Sequence, residues 1–312
     1  MRKGLVTGGA GFIGSHLVES LLQQNWQVRV LDNLSTGKLA NLGVNKERVE
    51  FMQGSIVDPA AVSKAVQGCD VVFHLAALPS VARSVEAPLE SHEACATGTM
   101  NVLDGARRAG VRRVVYAASS SAYGNLPGRQ RIESEPLSPL SPYAATKLAG
   151  ELYCQCFAAV YPLETVRLRF FNVYGPRQDA SSPYSGVIAL FLTAMCAGRI
   201  PRIDGDGLQS RDFFYVANAA QAMSKAADAK SANGNVYNIG NGASITVLDL
   251  VRHLNELLGT KIQPTFGPPR QGDVRHSEAD ISAARRDLGY DPLVSFQEGL
   301  RHTMDWYRSV KT

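Results

Sequence analysis

TGGAGFIG, residues 7–14, lies between a short apolar segment that ends at Thr7 and an amphipathic segment that begins at Phe12. Its glycines fit the spacing G-x-G-x-x-G and the wider G-x-x-G-x-x-G. Between a strand and a helix, such glycines let the backbone turn tightly and approach a pyrophosphate, which rests on the helix N-terminus. The stretch therefore predicts a dinucleotide site at the start of an α/β fold. A glycine turn without a ligand is the alternative reading.

Apolar segments alternate with helical patterns through the first half of the chain, which predicts a doubly wound parallel sheet. The predicted strands are nearly continuous apolar runs, as expected for strands covered on both faces. They span residues 5–7, 28–31, 49–52, 71–75, 114–118 and 165–170. Predicted helices span residues 12–24, 89–109 and 142–161, the last opened by Ser141 as N-cap and Pro142 at the first helical position.

The regular alternation fails after Pro176, where Gly, Pro, Asp and Ser become frequent. Helices over 246–258 and 295–308 are still predicted, the second from the capping-box sequence Ser295-Phe296-Gln297-Glu298. We therefore expect a Rossmann-type domain over residues 1–176, to which later segments return. A smaller α/β substrate domain over 177–312 completes the fold.

Asp32 closes the second predicted strand, 24 residues after Gly8. Its carboxylate can accept hydrogen bonds from an adenosine ribose and would repel a 2′-phosphate, which predicts NAD rather than NADP. The residues that follow Asp32 and the third strand are further candidates for cofactor contacts, although ordinary loop chemistry explains them equally well. These are Asn33, Ser35, Gly37, Ser55 and Ile56.

Tyr143 and Lys147 lie four residues apart on a predicted helix and therefore share one face. A tyrosine with an ordinary pKa near 10 is a poor base, and lowering that pKa to about 7 requires about 4 kcal/mol of phenolate stabilisation. A lysine ammonium and an oxidised nicotinamide ring would supply it. The triplet 119–121, Ser-Ser-Ser, ends the fifth strand, where ligands bind in such sheets. Together these residues predict proton transfer coupled to hydride transfer.

Composition excludes several other classes of protein. Charged residues make up 19% of the chain and the net charge of +4 is not clustered, so we expect no nucleic-acid partner. No apolar run reaches the roughly 18 residues that a membrane span requires, and the chain enters a strand at once, which argues against a signal peptide. Five irregularly spaced cysteines favour a reducing compartment, and we expect a cytoplasmic protein without a metal site.

Eight motifs together resemble the extended short-chain dehydrogenase/reductases, and within them the nucleotide-sugar epimerases that act on UDP-glucose or UDP-N-acetylglucosamine. The resemblance covers essentially the whole chain. The motifs are TGGAGFIGSHL (7–17), DNLSTG (32–37), HLAA (74–77), SSSAYG (119–124), SPYAATK (141–147), RFFNVYGPR (169–177), GDGLQSRDF (205–213) and RQGDVRHS (270–277).

The resemblance implies roles for individual residues. Tyr143 would be the general base, Ser119 its hydroxyl partner and Lys147 its electrostatic partner. Implied cofactor contacts are Gly8, Gly11, Phe12, Ile13, Gly14, Asp32, Asn33, Ser35, Gly37, Ser55, Ile56, Leu75, Ala76, Ala77, Tyr143 and Lys147. Implied contacts to a UDP-sugar are Ser80, Ser119, Ser121, Tyr143, Asn172, Val187, Arg211, Arg270, Asp273 and Ser277.

The implied reaction is inversion at C4 of a UDP-hexose through a 4-keto intermediate. Alternatives are another nucleotide-sugar enzyme of the superfamily (a UDP-glucuronate epimerase, a 4-keto-sugar reductase or a dehydratase) and a non-catalytic NAD-dependent sensor. Dehydratases of this kind carry an Asp-Glu pair where this chain has Ser120 and Ser121. Without the resemblance, an ion pair with Asp212 is the better reading of Arg211. Relatives pair two helices, here 89–109 and 143–161, so a homodimer is expected.

Overall fold

The computed structural model describes residues 1–180, 186–269 and 274–309. Its main layer is a seven-stranded sheet in the order β12-β7-β5-β4-β1-β2-β3, with all neighbours parallel. In chain order these strands are β1 Lys3–Thr7, β2 Gln27–Asp32, β3 Glu50–Gln53, β4 Val71–His74, β5 Arg113–Ser119, β7 Glu164–Phe170 and β12 Val236–Ile239. The sheet confirms the predicted doubly wound α/β fold.

Eleven α-helices lie within the described residues, and several of them cover the two faces of this sheet. They are α1 Phe12–Gln23, α2 Pro59–Val66, α3 Val81–Glu86, α4 Pro88–His92, α5 Gly98–Arg108, α6 Pro142–Val160, α7 Val187–Cys196, α8 Val216–Asp228, α9 Val247–Leu258, α10 Ser282–Leu288 and α11 Phe296–Ser309. None of the helices in this part of the chain combines the length and the apolar character that crossing a membrane requires.

The alternation of side chains along β4 explains the two layers. Val71 and Phe73 pack into the core beneath α1 and α8, whereas Val72 packs into the core beneath α2 and α5. All three side chains are fully buried. A strand of a parallel sheet is buried on both faces because crossover helices cover each side, which is why the sequence shows continuous apolar runs.

The predicted helix over 89–109 is a continuous helical run interrupted by one π-helical segment, Glu93–Thr97, between α4 and α5. Periodicity fixes the register of such a run but does not reveal the extra residue that a π turn accommodates. Helix α8 lacks a sequence prediction because it lies in the segment after Pro176 that the sequence indicates is rich in loops. It packs against α1, and Arg113 of β5 donates hydrogen bonds to its C-terminal carbonyls Ala226 O and Ala229 O at 2.7 and 2.9 Å.

A second core lies beside the sheet and is built largely from α7, α9 and α11. It adjoins a four-stranded sheet in the order β13-β10-β15-β6 and two two-stranded pairs, β11-β8 and β14-β9. These strands are β6 Gln130–Arg131, β8 Asn172–Tyr174, β9 Arg202–Asp204, β10 Ser210–Arg211, β11 Phe213–Tyr215, β13 Ile245–Thr246, β14 Thr265–Gly267 and β15 His276–Ala279. The chain thus returns to the large sheet at β12 before it completes the smaller α/β domain.

Helix α6 is fixed to the sheet by a buried ion pair between Glu151 and Arg169. The Arg169 Nε lies 3.1 Å from both carboxylate oxygens, and its Nη2 lies 2.8 Å from Oε2. The same guanidinium donates to the Tyr123 hydroxyl at 2.9 Å, and that hydroxyl donates to Asn238 Oδ1 at 2.7 Å. The pair therefore ties α6 to β7 and, through Tyr123, to β12.

Glu151→Gln should lower the free energy of unfolding by about 3–5 kcal/mol, because it leaves the Arg169 charge buried without its counter-ion. Urea unfolding of the NAD-bound protein measures the loss. The control is Asp291→Asn, which breaks a 3.1 Å pair with Arg285 whose side chains are 76% and 56% exposed, and should change stability by less than about 0.5 kcal/mol. Equal losses in the two variants would contradict a structural role for the buried pair.

Candidate active site

Glycine positions in the loop between β1 and α1 allow close backbone packing. Gly8 has φ +71°, and a Cβ there would lie 2.9 Å from the Ala76 N and Cα atoms. A Cβ at Gly14 would overlap the Gly8 carbonyl oxygen. The loop is thus pressed between α1 and the turn that follows β4, which contains the predicted cofactor residues Leu75, Ala76 and Ala77.

The N-terminus of α1 offers backbone amides to an anion. Its N-cap is Gly11, which makes no side-chain cap, and Phe12 and Ile13 form the first turn. Unsatisfied N–H groups and the helix dipole favour a phosphate at such an end. The glycine loop leaves a space that a Cβ would fill, and the N-terminus of α1 beside it has no side-chain cap. Both features fit the pyrophosphate of a dinucleotide.

Asp32 lies at the end of β2 beside this loop and is buried. Its Oδ2 accepts from Ala10 N at 2.9 Å and its Oδ1 accepts from Leu34 N at 2.8 Å. Gly37 is close to the same carboxylate, since a Cβ there would lie 2.9 Å from Oδ2. Each carboxylate oxygen keeps a further lone pair, so the position fits the hydrogen bonds of an adenosine ribose.

The other predicted cofactor residues near the sheet edge lie in ordinary turns. Asn33 Oδ1 accepts from Ser35 N at 3.1 Å, and Ser55 Oγ accepts from Val57 N at 3.2 Å. Ile56 is buried in the core beneath α5, and its carbonyl accepts from Asn101 Nδ2 at 3.0 Å. Ile56 is therefore an apolar core residue at this edge of the sheet, while Ser55 closes the turn after β3.

Sequence reasoning missed a hydrogen-bonded chain beneath the glycine loop. Thr7 Oγ1 accepts from Leu75 N and Ala76 N at 3.2 Å and lies 2.8 Å from His74 Nδ1. His74 Nε2 lies 2.9 Å from Thr99 Oγ1, which donates to Cys95 O at 2.5 Å. Thr7 therefore donates to Nδ1 and the ring proton sits on Nε2.

His74 is neutral at physiological pH, because burial lowers its pKa to about 3. This series of hydrogen bonds links the end of β1 to the π-helical segment. Both residues belong to motifs that the sequence analysis identified. Thr7 is the first residue of the glycine stretch and His74 is the first residue of HLAA, so their positions in these motifs could have indicated a structural role.

Ser119, Tyr143 and Lys147 come together at the carboxyl end of β5. Ser119 Oγ lies 2.8 Å from Ser121 Oγ, and the Ser119 hydroxyl lies near the Tyr143 hydroxyl. Ser141 caps α6, with its Oγ accepting from Ala144 N at 3.1 Å, and Pro142 follows at the first position. Tyr143 therefore lies in the first turn of α6, as the sequence predicts.

Burial is the largest cause of the pKa shifts of Tyr143 and Lys147. Burial raises the pKa of Tyr143 above its ordinary value, and the Ser119 hydrogen bond opposes the rise. Burial lowers the pKa of Lys147, whose Nζ lies 4.4 Å from the centroid of the Tyr116 ring. Lys147 lies one helical turn from Tyr143 on α6, and an ammonium brought close to a phenol favours the phenolate.

Three of the predicted substrate residues are joined by strand pairing in the smaller domain. Arg211 of β10 pairs with Ser277 of β15, and Phe213 of β11 pairs with Asn172 of β8. Arg211 Nη1 donates to Ser210 O at 2.8 Å. The alternative partner, Asp212, is buried, and its carboxylate accepts from three backbone amides, so it is not the counter-ion that the sequence suggests.

The remaining predicted substrate residues are dispersed. Ser80 is the N-cap of α3, with its Oγ accepting from Arg83 N at 3.0 Å. Val187 is the first residue of α7 and packs against the core of the smaller domain. Arg270 and Asp273 lie outside the described residues.

A cavity of about 610 Å³ opens beside Arg211. Arg275 contributes to its lining, and the Arg275 carbonyl oxygen lies 3.5 Å from Arg211 Nη1. Other residues of the lining come from β9, β14 and the loops before β10 and β15. They are Asp204, Gly205, Asp206, Gln209, Phe266, Gly267, Pro269 and Val274.

Comparison with known proteins places the chain in one family. Residues 4–240 match the model of the NAD dependent epimerase/dehydratase family. The chain is 39% identical over 309 residues to a UDP-glucose 4-epimerase of Mycolicibacterium smegmatis, with 98% of each chain covered. This protein belongs to the NAD dependent epimerase/dehydratase family, and NAD is its cofactor.

Solved structures agree with this assignment. A UDP-N-acetylglucosamine 4-epimerase from Methanobrevibacter ruminantium, solved with UDP-N-acetylmuramic acid, is 39% identical, has a TM-score of 0.95 and covers 99% of each chain. A UDP-glucose 4-epimerase of Thermus thermophilus, solved with NAD, is 37% identical with a TM-score of 0.90, covering 98% of this chain and 99% of that one. The resemblance and the cofactor expected from the sequence are both confirmed.

Proposed function

We propose that this chain is an isomerase, a UDP-sugar 4-epimerase that keeps its NAD through the catalytic cycle. The observation that carries the proposal is that Ser119 and Tyr143 lie together, with Lys147 one helical turn further along α6, at the same sheet edge as the glycine loop. The similarity to 4-epimerases along nearly the whole chain supports it.

NAD, when bound, accepts a hydride from C4 of the sugar and returns it to the opposite face of the resulting 4-keto sugar. Tyr143 takes the proton of the 4-hydroxyl in the first half and returns a proton to O4 in the second. Ser119, which lies near Tyr143, would bridge the sugar oxygen and the phenol. The reaction has no net redox change, so no second substrate is needed.

Tyr143 needs positive charge nearby to act as a base, because its burial favours the neutral phenol. The Lys147 ammonium supplies one such charge from the next turn of α6 and would also hold the nicotinamide ribose. The oxidised nicotinamide ring supplies another. The phenolate is therefore favoured when the cofactor is oxidised, which is the state in which a proton must leave the sugar.

The nucleotide part of the substrate is proposed to lie along β10 and β15. Arg211 would hold the pyrophosphate, together with Arg270, and Asn172 would contact the same diphosphate. The cavity beside Arg211 is large enough for a nucleoside and is lined by the aromatic ring of Phe266. Asp273 would contact the uridine ribose.

Water elimination is the second candidate within this family. It requires a carboxylic acid and a carboxylate after the catalytic hydroxyl, to protonate the leaving group and to remove a proton from carbon. Ser120 and Ser121 occupy those positions in the short helix that follows β5. Their hydroxyls cannot fill either role, so epimerisation is favoured.

We further propose that the protein acts in the cytoplasm. All five cysteines are unpaired in the structure. Unpaired thiols persist where the medium is reducing.

The purified protein, incubated with UDP-glucose or UDP-N-acetylglucosamine and no added cofactor, should form the C4 epimers.

Tyr143→Phe should cut turnover by about 10²–10⁴-fold, because the proton of the 4-hydroxyl loses its acceptor. NAD content of the variant, measured after heat release, should match that of the parent. A phenylalanine variant with near-parental turnover would show that Tyr143 is not the base.

Substrate size is proposed to be set at Ser277, which faces Arg211 across the β10–β15 pairing. A serine leaves room beside the sugar C2 substituent, so N-acetylated UDP-hexoses should be accepted, UDP-N-acetylglucosamine and UDP-N-acetylgalactosamine among them. Ser277→Tyr should abolish activity on the acetylated sugars through steric overlap and spare UDP-glucose. Ser277→Ala, as the control, should retain both. Equal loss of both activities in the tyrosine variant would rule out Ser277 as the size gate.

A homodimer is proposed through an apolar face formed by α3, α4 and α6. Val85, Leu89, Leu152 and Val160 on these helices are 65%, 82%, 52% and 67% exposed, and α3 and α4 both pack on α6. Such a contiguous apolar face is typical of a protein interface.

Light scattering at micromolar concentration should give twice the chain mass of 33.6 kDa. Leu152→Arg should give the monomer mass, because it would bury a charge in the interface. Leu293→Arg, at a 72% exposed leucine outside α3, α4 and α6, should leave the dimer intact. A monomeric parent protein would refute the proposal.

A further inference from the structure

We infer that Asp212 is a positioning residue for the substrate site, whose carboxylate and backbone together fix Asn172, Arg211 and Ser277 in register. The inference rests on the proposed function, because those three residues are among the proposed contacts to the UDP-sugar. Asp212 itself touches no reacting atom.

The Asp212 carboxylate is buried and is held by backbone amides from two separate segments. Its Oδ1 accepts from Asn241 N at 2.7 Å, and its Oδ2 accepts from Gly242 N at 3.0 Å and from Ala279 N at 3.1 Å. The first two amides belong to the turn after β12 of the large sheet, and the third belongs to the end of β15. One carboxylate thus joins the Rossmann sheet to the sheet of the smaller domain.

The backbone of Asp212 also makes hydrogen bonds to two of the proposed substrate residues. Its N–H donates to Ser277 O at 2.8 Å, and its carbonyl accepts from Asn172 N at 3.0 Å and from Asn172 Nδ2 at 3.3 Å. Arg211 is its neighbour in the chain. Every one of the three proposed substrate contacts is therefore bonded to Asp212 or adjacent to it.

The carboxylate is the only side-chain group of this size and shape that satisfies all three amides. Three buried donors need an acceptor with free lone pairs on both oxygens. An asparagine presents an NH₂ group to at least one N–H, which leaves that donor unsatisfied in a buried site and costs about 1–3 kcal/mol. Asp212 burial raises its pKa to about 7, against the effect of the three amides.

Two variants disturb this junction by different means. Asp212→Asn removes an acceptor and keeps the volume. Gly240→Ala keeps the carboxylate but adds a Cβ that would lie 2.6 Å from Asp212 Oδ2 and 2.9 Å from Ala279 Cβ, so one of them must move. The matched control is Asp280→Asn, which changes a carboxylate next in the chain to Ala279 whose Oδ1 accepts from Ser282 N at 2.8 Å.

The experiment measures UDP binding to the NAD-bound protein by calorimetry, alongside KM and kcat for UDP-glucose and the NAD content. Asp212→Asn and Gly240→Ala should each weaken UDP binding and raise KM by about tenfold or more, which corresponds to about 1.4 kcal/mol. The kcat should stay within about threefold of the parent value and NAD content should be unchanged, since Ser119, Tyr143 and the glycine loop lie on other segments. Asp280→Asn should behave as the parent.

Parent-like UDP affinity in both variants overturns the inference, even if their melting temperatures fall, because a purely structural role lowers stability without changing affinity. Failure of both variants to fold with NAD bound overturns it as well. A parent protein that fails to bind UDP would instead refute the proposed function. The two failures are therefore distinguishable.

Discussion

Close packing of Gly8 against the turn after β4 is the constraint on which the rest of the site depends. No side chain fits between the Gly8 Cα and the backbone of Ala76, so the glycine loop and that turn form a single rigid surface. Asp32 fixes the loop from its other side by accepting from Ala10 N. A pyrophosphate bound here would meet backbone amides that are already in place, which would reduce the cost of ordering them on binding.

The same rigidity reaches the catalytic helix through polar groups rather than through packing alone. Thr7 binds the turn with its hydroxyl and orients His74, and His74 in turn binds Thr99 next to the π-helical segment. That segment packs against α6, and α6 is fixed to β7 by the Glu151–Arg169 pair. The glycine loop and α6 are therefore connected through a continuous series of contacts, and the proposed transfer of hydride and proton at a single carbon requires the two to be held in fixed relation.

Sequence reasoning predicted the sheet and the catalytic helix because their signals are local. The glycine spacing, the apolar strands and the Ser141-Pro142 cap each occupy one short segment. The π turn at Glu93–Thr97 was not predicted because a π turn leaves no periodic mark, and helix α8 was not predicted because it lies in the loop-rich sequence after Pro176. The hydrogen-bond partners of the Asp212 carboxylate could not be predicted from the sequence for a different reason. They lie 29, 30 and 67 residues away in the chain, and only the fold brings their amides together, whereas the adjacent Arg211 is the obvious partner in the sequence.

Burial of Tyr143 and Lys147 would make the proposed proton transfer depend on the redox state of the cofactor. Both neutral forms are favoured by burial alone, since the pKa of the phenol is raised and that of the ammonium is lowered. A positive nicotinamide ring would shift this balance towards phenolate, so Tyr143 would be the better base when the cofactor is oxidised and would retain the proton when it is reduced. In the returning half of the proposed reaction, hydride transfer would restore the positive ring and create an alkoxide at O4. Tyr143 would then give its proton to that oxygen, so the proton moves back together with the hydride.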